Sequence, residues 1–211
     1  MSGPESNGPV SSDSGARAAA AAALRRQADG LVLDRTLALV GLMGAGKTTI
    51  GRRLAGALGV QFVDADAEIA AAAGQSVDDI FTAHGESAFR RGERAVIARL
   101  LGGAPHILAT GGECAFADPD TRALMREKAI IVWLKAPLDV LVRRMGRRDV
   151  RPLLKEEEIE PAMRALLAAR EPIYSEADLI IESSNGPHNS AVAEIIAALK
   201  TLLAQKATSR S

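Results

Sequence analysis

Gly41-Leu42-Met43-Gly44-Ala45-Gly46-Lys47-Thr48 decides the fold. The stretch matches the pattern G-x-x-x-x-G-K-[ST] in the context that pattern needs: the apolar run Thr36 to Val40 predicts a strand before it, and a helical pattern opens at Lys47. Glycines in such a turn permit backbone angles that other residues resist, so consecutive N–H groups can converge on an anion. The helix N-terminus adds the positive end of its dipole. These residues imply a phosphate cradle in which Lys47 bridges the β- and γ-phosphates of a nucleotide and the Thr48 hydroxyl ligates Mg²⁺.

Outward from this loop the chain alternates short apolar runs with helical stretches, the pattern of a parallel sheet wrapped by helices. The runs Thr36 to Val40, Val60 to Val63, Ile107 to Ala109, Ala129 to Leu134 and Leu179 to Ile181 predict five strands. Helical patterns begin near Lys47, Ala67, Ser87, Pro119, Leu138, Pro161 and Ser190. Asp118 followed by Pro119 reads as an N-cap with proline at the first helical position. Arg147 to Glu158 breaks the alternation, and its charges with the Arg151-Pro152 dipeptide predict a mobile loop.

The chain has 211 residues, enough for one compact domain. Met1 to Gly15 is rich in Ser, Gly, Pro and Asn and cannot bury enough surface to offset the entropy of ordering. Ala16 to Asp29 has high helix propensity but no broad apolar face, which predicts a helix lying loosely on the surface. Residues 1–30 are therefore expected to be a disordered or loosely helical extension, 31–205 the domain, with a lid at about 147–158, and 206–211 a disordered tail. The 26 basic residues equal the 26 acidic ones, so no overall field draws the protein to nucleic acid or an anionic membrane. One cysteine, Cys114, excludes an internal disulfide framework and a multi-cysteine zinc site, and His84, His106 and His188 show no metal-ligand spacing. The apolar run Ala18 to Leu24 is too short for a membrane span and is followed by Arg25 and Arg26. A cytoplasmic location is the expectation.

The phosphate loop alone leaves the reaction open. Asp64 and Asp66 fall at the carboxyl end of the second predicted strand, the edge where open α/β sheets hold their ligands. Two residues apart on an extended chain, they are expected to point the same way. One carboxylate would hold Mg²⁺ through water while the other orients and deprotonates an acceptor hydroxyl; capping the next helix is the competing use of either.

Phe89-Arg90-Arg91-Gly92-Glu93 lies in a predicted helix, and Thr110-Gly111-Gly112 follows the third strand. Together with Gly41 to Thr48, Asp64-Ala65-Asp66 and Arg151-Pro152-Leu153-Leu154, these sequences resemble shikimate kinase in that family's order and approximate spacing, over roughly Thr36 to Leu203. The resemblance implies transfer of the ATP γ-phosphoryl to the 3-hydroxyl of shikimate, in aromatic amino-acid biosynthesis through chorismate. It implies a three-layer α/β/α P-loop fold around a five-stranded parallel sheet of order 2-3-1-4-5, with a mobile lid. By the same resemblance, Asp66 holds the ring hydroxyls and acts as base, and Asp64 and Thr48 belong to the Mg²⁺ shell. Arg90 and Arg170 grip the substrate carboxylate, a task suited to planar guanidinium donors. Gly112 offers its backbone N–H near the substrate. Gly44, Ala45, Gly46, Lys47, Thr48 and Thr49 hold ATP, with Arg144 flanking adenine. Lys47 and, from the lid, Arg151 serve catalysis, with Arg147 beside it. Without the resemblance, Arg143, Arg144, Arg147 and Arg148 read as a solvated basic helix end. Ile181 to Pro187 resembles the family's adenine loop. A monomer binding ATP and shikimate, with neither nucleic acid nor membrane as partner, completes the expectation.

The chain departs from the family after the third strand, where Glu113 and Cys114 follow Gly111-Gly112 in place of a third glycine and a small residue. A carboxylate pointing inward there would repel the substrate carboxylate or the γ-phosphate. Two alternatives therefore stand beside the main reading: another small-metabolite kinase of the gluconate kinase type, and a nucleotide-binding module impaired by Glu113.

Overall fold

The computed structural model describes residues 11–111, 115–146, 156–183 and 186–208. In chain order it contains α1 (Ser11–Gln27), β1 (Thr36–Val40), α2 (Lys47–Leu58), β2 (Phe62–Asp64), α3 (Ala65–Ala73), α4 (Val77–Leu101) and β3 (Ile107–Ala109). There follow α5 (Pro119–Lys128), β4 (Ala129–Lys135), α6 (Leu138–Gly146), α7 (Glu156–Tyr174), β5 (Leu179–Glu182) and α8 (His188–Thr208). All four strand pairings are parallel, and the order is β2-β3-β1-β4-β5, as expected. Helices cover both faces of this sheet.

The central strands explain why they are central. β1 is buried at every position, and Leu37, Leu39, Ile107, Leu108, Ile130 and Ile131 are fully enclosed. A strand covered on both faces reads as a continuous apolar run and not as an alternation. Each such side chain contributes roughly 1.5–3 kcal/mol of burial free energy, so the middle of the sheet is the rigid platform for the loops at its carboxyl edge.

Several boundaries differ from expectation for local reasons. β2 opens at Phe62 and not at Val60, because the Val60 N–H closes the end of α2 by donating to Ala55 O at 3.1 Å. α3 starts at Ala65, directly after β2, so Asp66 lies in the first turn of a helix and not on an extended chain. α4 begins at Val77, ten residues before the predicted start at Ser87, with the Ser76 hydroxyl accepting from the Asp79 N–H at 3.1 Å. Gly85, at φ 73° and ψ 172°, kinks it and interrupts the pattern that would have revealed the first half. α7 takes in Glu156 to Glu158, the last residues of the expected lid. α8 runs to Thr208, into the segment expected as a tail. The Asp118 cap forms as expected, its carboxylate accepting from the Thr121 N–H at 2.8 Å.

The core also reaches back beyond Leu31. α1 packs on α2 and α8, Leu24 and Ala28 are buried in the main core, and Arg25 Nε donates to Gly56 O at 3.3 Å. Among the described side chains of α1, Leu24 in the last turn is the buried one and the alanines before it are half-buried or exposed, so the stretch lacks a broad apolar face and yet is anchored.

Candidate active site

The loop after β1 is shaped by its glycines. Gly44 and Gly46 have φ of 81° and 98°, a region that favours glycine, and they reverse the chain so that α2 begins at Lys47. The Ala45 N–H donates to Leu42 O at 3.1 Å within the turn. Lys47 is nearly buried, and its ammonium donates to Gly41 O at 2.7 Å and Leu42 O at 3.2 Å. It therefore lies across the loop that it follows in sequence. Thr49, one residue beyond Thr48, is half-buried on α2.

Two side chains from elsewhere hold the loop from outside. Arg144, in the last turn of α6, donates to Gly44 O at 2.9 Å. Ser183, immediately after β5, donates its hydroxyl proton to Ala45 O at 2.7 Å. Beside them a cavity of about 190 Å³ is lined by Ile50, Arg144, Ser183, Pro187, His188 and Glu194. Burial, and then the cations Arg144 and Arg53, hold the His188 imidazole below its ordinary pKa. Its ring lies against Gly46, where an added Cβ would stand 3.5 Å from Cδ2 and Nε2.

The two aspartates separate. Asp64, the last residue of β2, makes no side-chain cap to α3; instead its Oδ2 accepts from Thr48 Oγ1 at 3.1 Å. Asp66 lies two residues on, in the first turn of α3, and faces Gly111 just beyond β3, where a Cβ would stand 2.5 Å from Asp66 Oδ1. The helix starts between them, and the two carboxylates meet different neighbours. Thr48 and Asp64 thus offer a hydroxyl and a carboxylate side by side. Mg²⁺ takes such oxygen donors while completing its shell with phosphate and water oxygens. Among the described residues no cluster of three acidic or histidine side chains provides a protein-only metal cage.

Behind Gly111 lies Glu93, only 2 % exposed. Its Oε2 accepts from Arg90 Nη1 at 3.3 Å, and Arg90 Nη2 also donates to Glu86 at 3.0 Å. The Arg90 guanidinium stands over the rings of Phe89 and Phe81, at 5.4 and 6.0 Å. Burial raises the Glu93 carboxyl above its ordinary pKa, Arg90 opposes that shift, and the Asp66 charge adds to it. Arg170, on α7, is half-buried, and its Nε is buried without a partner among the described residues.

A model of the shikimate kinase family matches residues 43–200. The chain belongs to the shikimate kinase family. It is 52 % identical over 166 residues to the shikimate kinase of Caulobacter vibrioides strain NA1000, covering 79 % of this chain and 82 % of that protein. The structure of the shikimate kinase from Acinetobacter baumannii in complex with shikimate superposes with a TM-score of 0.73 at 38 % identity, covering 82 % of this chain and 94 % of that one. A gluconokinase from Sinorhizobium meliloti, at 19 % identity and a TM-score of 0.56, shares the fold alone. As a shikimate kinase family member the chain is a phosphotransferase.

The structure thus gathers the expected residues of this kinase into two groups on one sheet edge. Lys47, Thr48 and Asp64 meet at the phosphate loop, with Arg144 on Gly44; Asp66 meets Gly111, with Glu93 and Arg90 behind. Gly112, Glu113, Cys114, Arg147, Arg148 and Arg151 lie outside the described residues. Glu93 and His188 carry no expected role, whereas Ser183 falls within Ile181 to Pro187, the stretch that resembles the family's adenine loop. The position of Ser183 one residue beyond a strand, at the ligand edge, is a further sequence signal that points to it.

Proposed function

We propose that the chain transfers the γ-phosphoryl group of ATP to the 3-hydroxyl of shikimate, giving shikimate 3-phosphate and ADP. The observation that carries the reading is the division of the two aspartates. One strand end delivers Asp64 to the Thr48 hydroxyl on the nucleotide side and, two residues later in the first turn of α3, Asp66 to Gly111. A phosphotransferase needs this arrangement, because donor phosphates and acceptor hydroxyl must approach in line from opposite sides.

Asp66 orients the acceptor hydroxyl and accepts its proton as the new oxygen–phosphorus bond forms; the bond from phosphorus to the β,γ-bridging oxygen breaks and leaves with ADP. The Lys47 ammonium, held at the loop by Gly41 O and Leu42 O, exchanges those carbonyls for β- and γ-phosphate oxygens. Thr48 and Asp64, whose hydroxyl and carboxylate lie side by side, would hold Mg²⁺, and the ion would supply positive charge to offset that of the phosphates. Arg90 and Arg170 hold the shikimate carboxylate, and Glu93 fixes the Arg90 guanidinium through Oε2. Gly112 supplies a backbone N–H, Thr49 and Arg144 line the ATP site, and Arg151 closes over the phosphates and excludes water. The proposed enzyme is cytoplasmic and monomeric.

Asp66→Asn tests the reading. Shikimate phosphorylation should fall to background while the dissociation constant for ATP stays at the wild-type value; an unchanged turnover rate would remove Asp66 from the mechanism.

A further inference from the structure

Ser183 is almost fully buried, at 3 % exposed, and is bonded in two directions. Its N–H donates to Lys135 O at 2.6 Å, carrying the β4–β5 pairing one residue past the end of β5. Its hydroxyl has a single proton to give, and that proton goes to Ala45 O at 2.7 Å. Arg144 Nη1, while donating to Gly44 O, approaches the Ser183 oxygen at 3.5 Å.

Ala45 sits between two glycines with positive φ, Gly44 and Gly46. The Ala45–Gly46 peptide turns about ψ of Ala45 and φ of Gly46, and Gly46 has no side chain to restrict its half of that rotation, so an anchor from outside the loop narrows the orientations of this peptide. The peptide is trans, so its carbonyl and the Gly46 N–H point in opposite directions. An anchor on the Ala45 carbonyl therefore fixes where the Gly46 N–H points.

We propose that Ser183 is a positioning residue of the phosphate cradle: by holding the Ala45 carbonyl outward, it turns the Gly46 N–H inward toward the nucleotide phosphates. Ser183 itself does not touch the phosphate. Its rigidity comes from the sheet, through Lys135, so the end of β4 sets the direction of a hydrogen-bond donor in the loop after β1. Leu134 supports the same loop directly, since its carbonyl stands 2.7 Å from where a Cβ on Gly41 would be. Arg144 acts in parallel on the neighbouring peptide through Gly44 O. The proposal rests on the reading of this loop as a nucleotide site.

The test is binding of ADP and of shikimate, each alone, to the full chain and to Ser183→Ala, with Ser183→Thr as the variant that keeps the hydroxyl. Loss of the anchor lowers the fraction of molecules with the Gly46 N–H inward, and the apparent affinity falls by that fraction, about fivefold to tenfold for one hydrogen bond. Ser183→Ala should therefore weaken ADP by about that factor and raise KM for ATP, while kcat at saturating ATP stays within about threefold of wild type. Shikimate affinity should be unchanged, and Ser183→Thr should restore ADP binding. An ADP affinity within twofold of wild type in Ser183→Ala, or an equal loss of ADP and shikimate affinity, overturns the proposal. Should Ser183→Ala fail to fold, Ser183→Cys, which keeps the bulk but has a weak donor, is read by the same criteria. Wild-type protein that binds no ADP would instead overturn the nucleotide-site reading itself.

Discussion

Replacing Gly111 by alanine places a methyl carbon 2.5 Å from Asp66 Oδ1 and 3.4 Å from its Cγ. Ordinary carbon contacts lie near ~3.5 Å, so the Asp66 carboxylate has to retreat by about 0.5–1 Å. Retreat is restricted: Glu93 Oε1 stands 3.5 Å from the same methyl, and that carboxylate is itself buried. A displacement of about 1 Å in a positioning group costs on the order of 10²-fold in rate, or about 2.7 kcal/mol of transition-state stabilisation. Gly111→Ala should therefore lower kcat for shikimate phosphorylation by about 10²-fold, with ADP affinity preserved because the phosphate loop is untouched. The assay is ADP release coupled to an indicator reaction, with ADP binding measured calorimetrically on the same preparation. A kcat within threefold of wild type would refute the assignment of Asp66 to the acceptor side of the site.

Two further predictions concern stability. Leu24→Ala removes a buried side chain at the end of α1 and should destabilise the fold by about 2–4 kcal/mol, whereas Val32→Ala, at an exposed position, should change it by less than ~0.5 kcal/mol. Equal effects in denaturant titrations would mean that α1 does not belong to the core. Glu93 concerns pH. With its pKa raised above 4.5 in the folded state, the native protein holds this proton more tightly than the unfolded chain does. Its stabilising contribution is therefore present below about 4.5 and is lost as pH rises through the higher folded value. Glu93→Gln loses the charge pair with Arg90, which offsets the two stability curves, but it has no such proton to lose. Wild type should lose stability relative to Glu93→Gln as pH rises through that window, followed by thermal unfolding; the opposite slope would mean that Arg90 outweighs burial.

Most of the fold was legible because its signals are local and agree. The phosphate loop announced both the strand before it and the helix after it, and Asp118-Pro119 announced a helix that starts where the cap places it. The sheet order was available only through the family resemblance, since apolar runs reveal strands without saying which are neighbours. Local signals failed where tertiary structure decided the outcome. Asp64 and Asp66 read as partners on a strand, but α3 begins between them, and nothing in Asp-Ala-Asp marks that start. Gly85 hid the first half of α4 by looking like an end when it is a kink. Leu24 looked like one leucine in an alanine-rich stretch, and only the meeting of α1 with α2 and α8 makes it core. Of the site, the loop residues and the acidic pair could be named from spacing. The contact of Ser183 with Ala45, separated by 138 residues, depends on how β5 lies beside β4, and no sequence pattern carries that information.

The most direct test of the central claim is ADP release from ATP and Mg²⁺ with shikimate as acceptor, beside gluconate, AMP and no acceptor, with the product identified by mass. Release should depend on shikimate, and the product should be heavier than shikimate by one phosphoryl group. Equal release with every acceptor, or background release with ATP still bound, would contradict that claim.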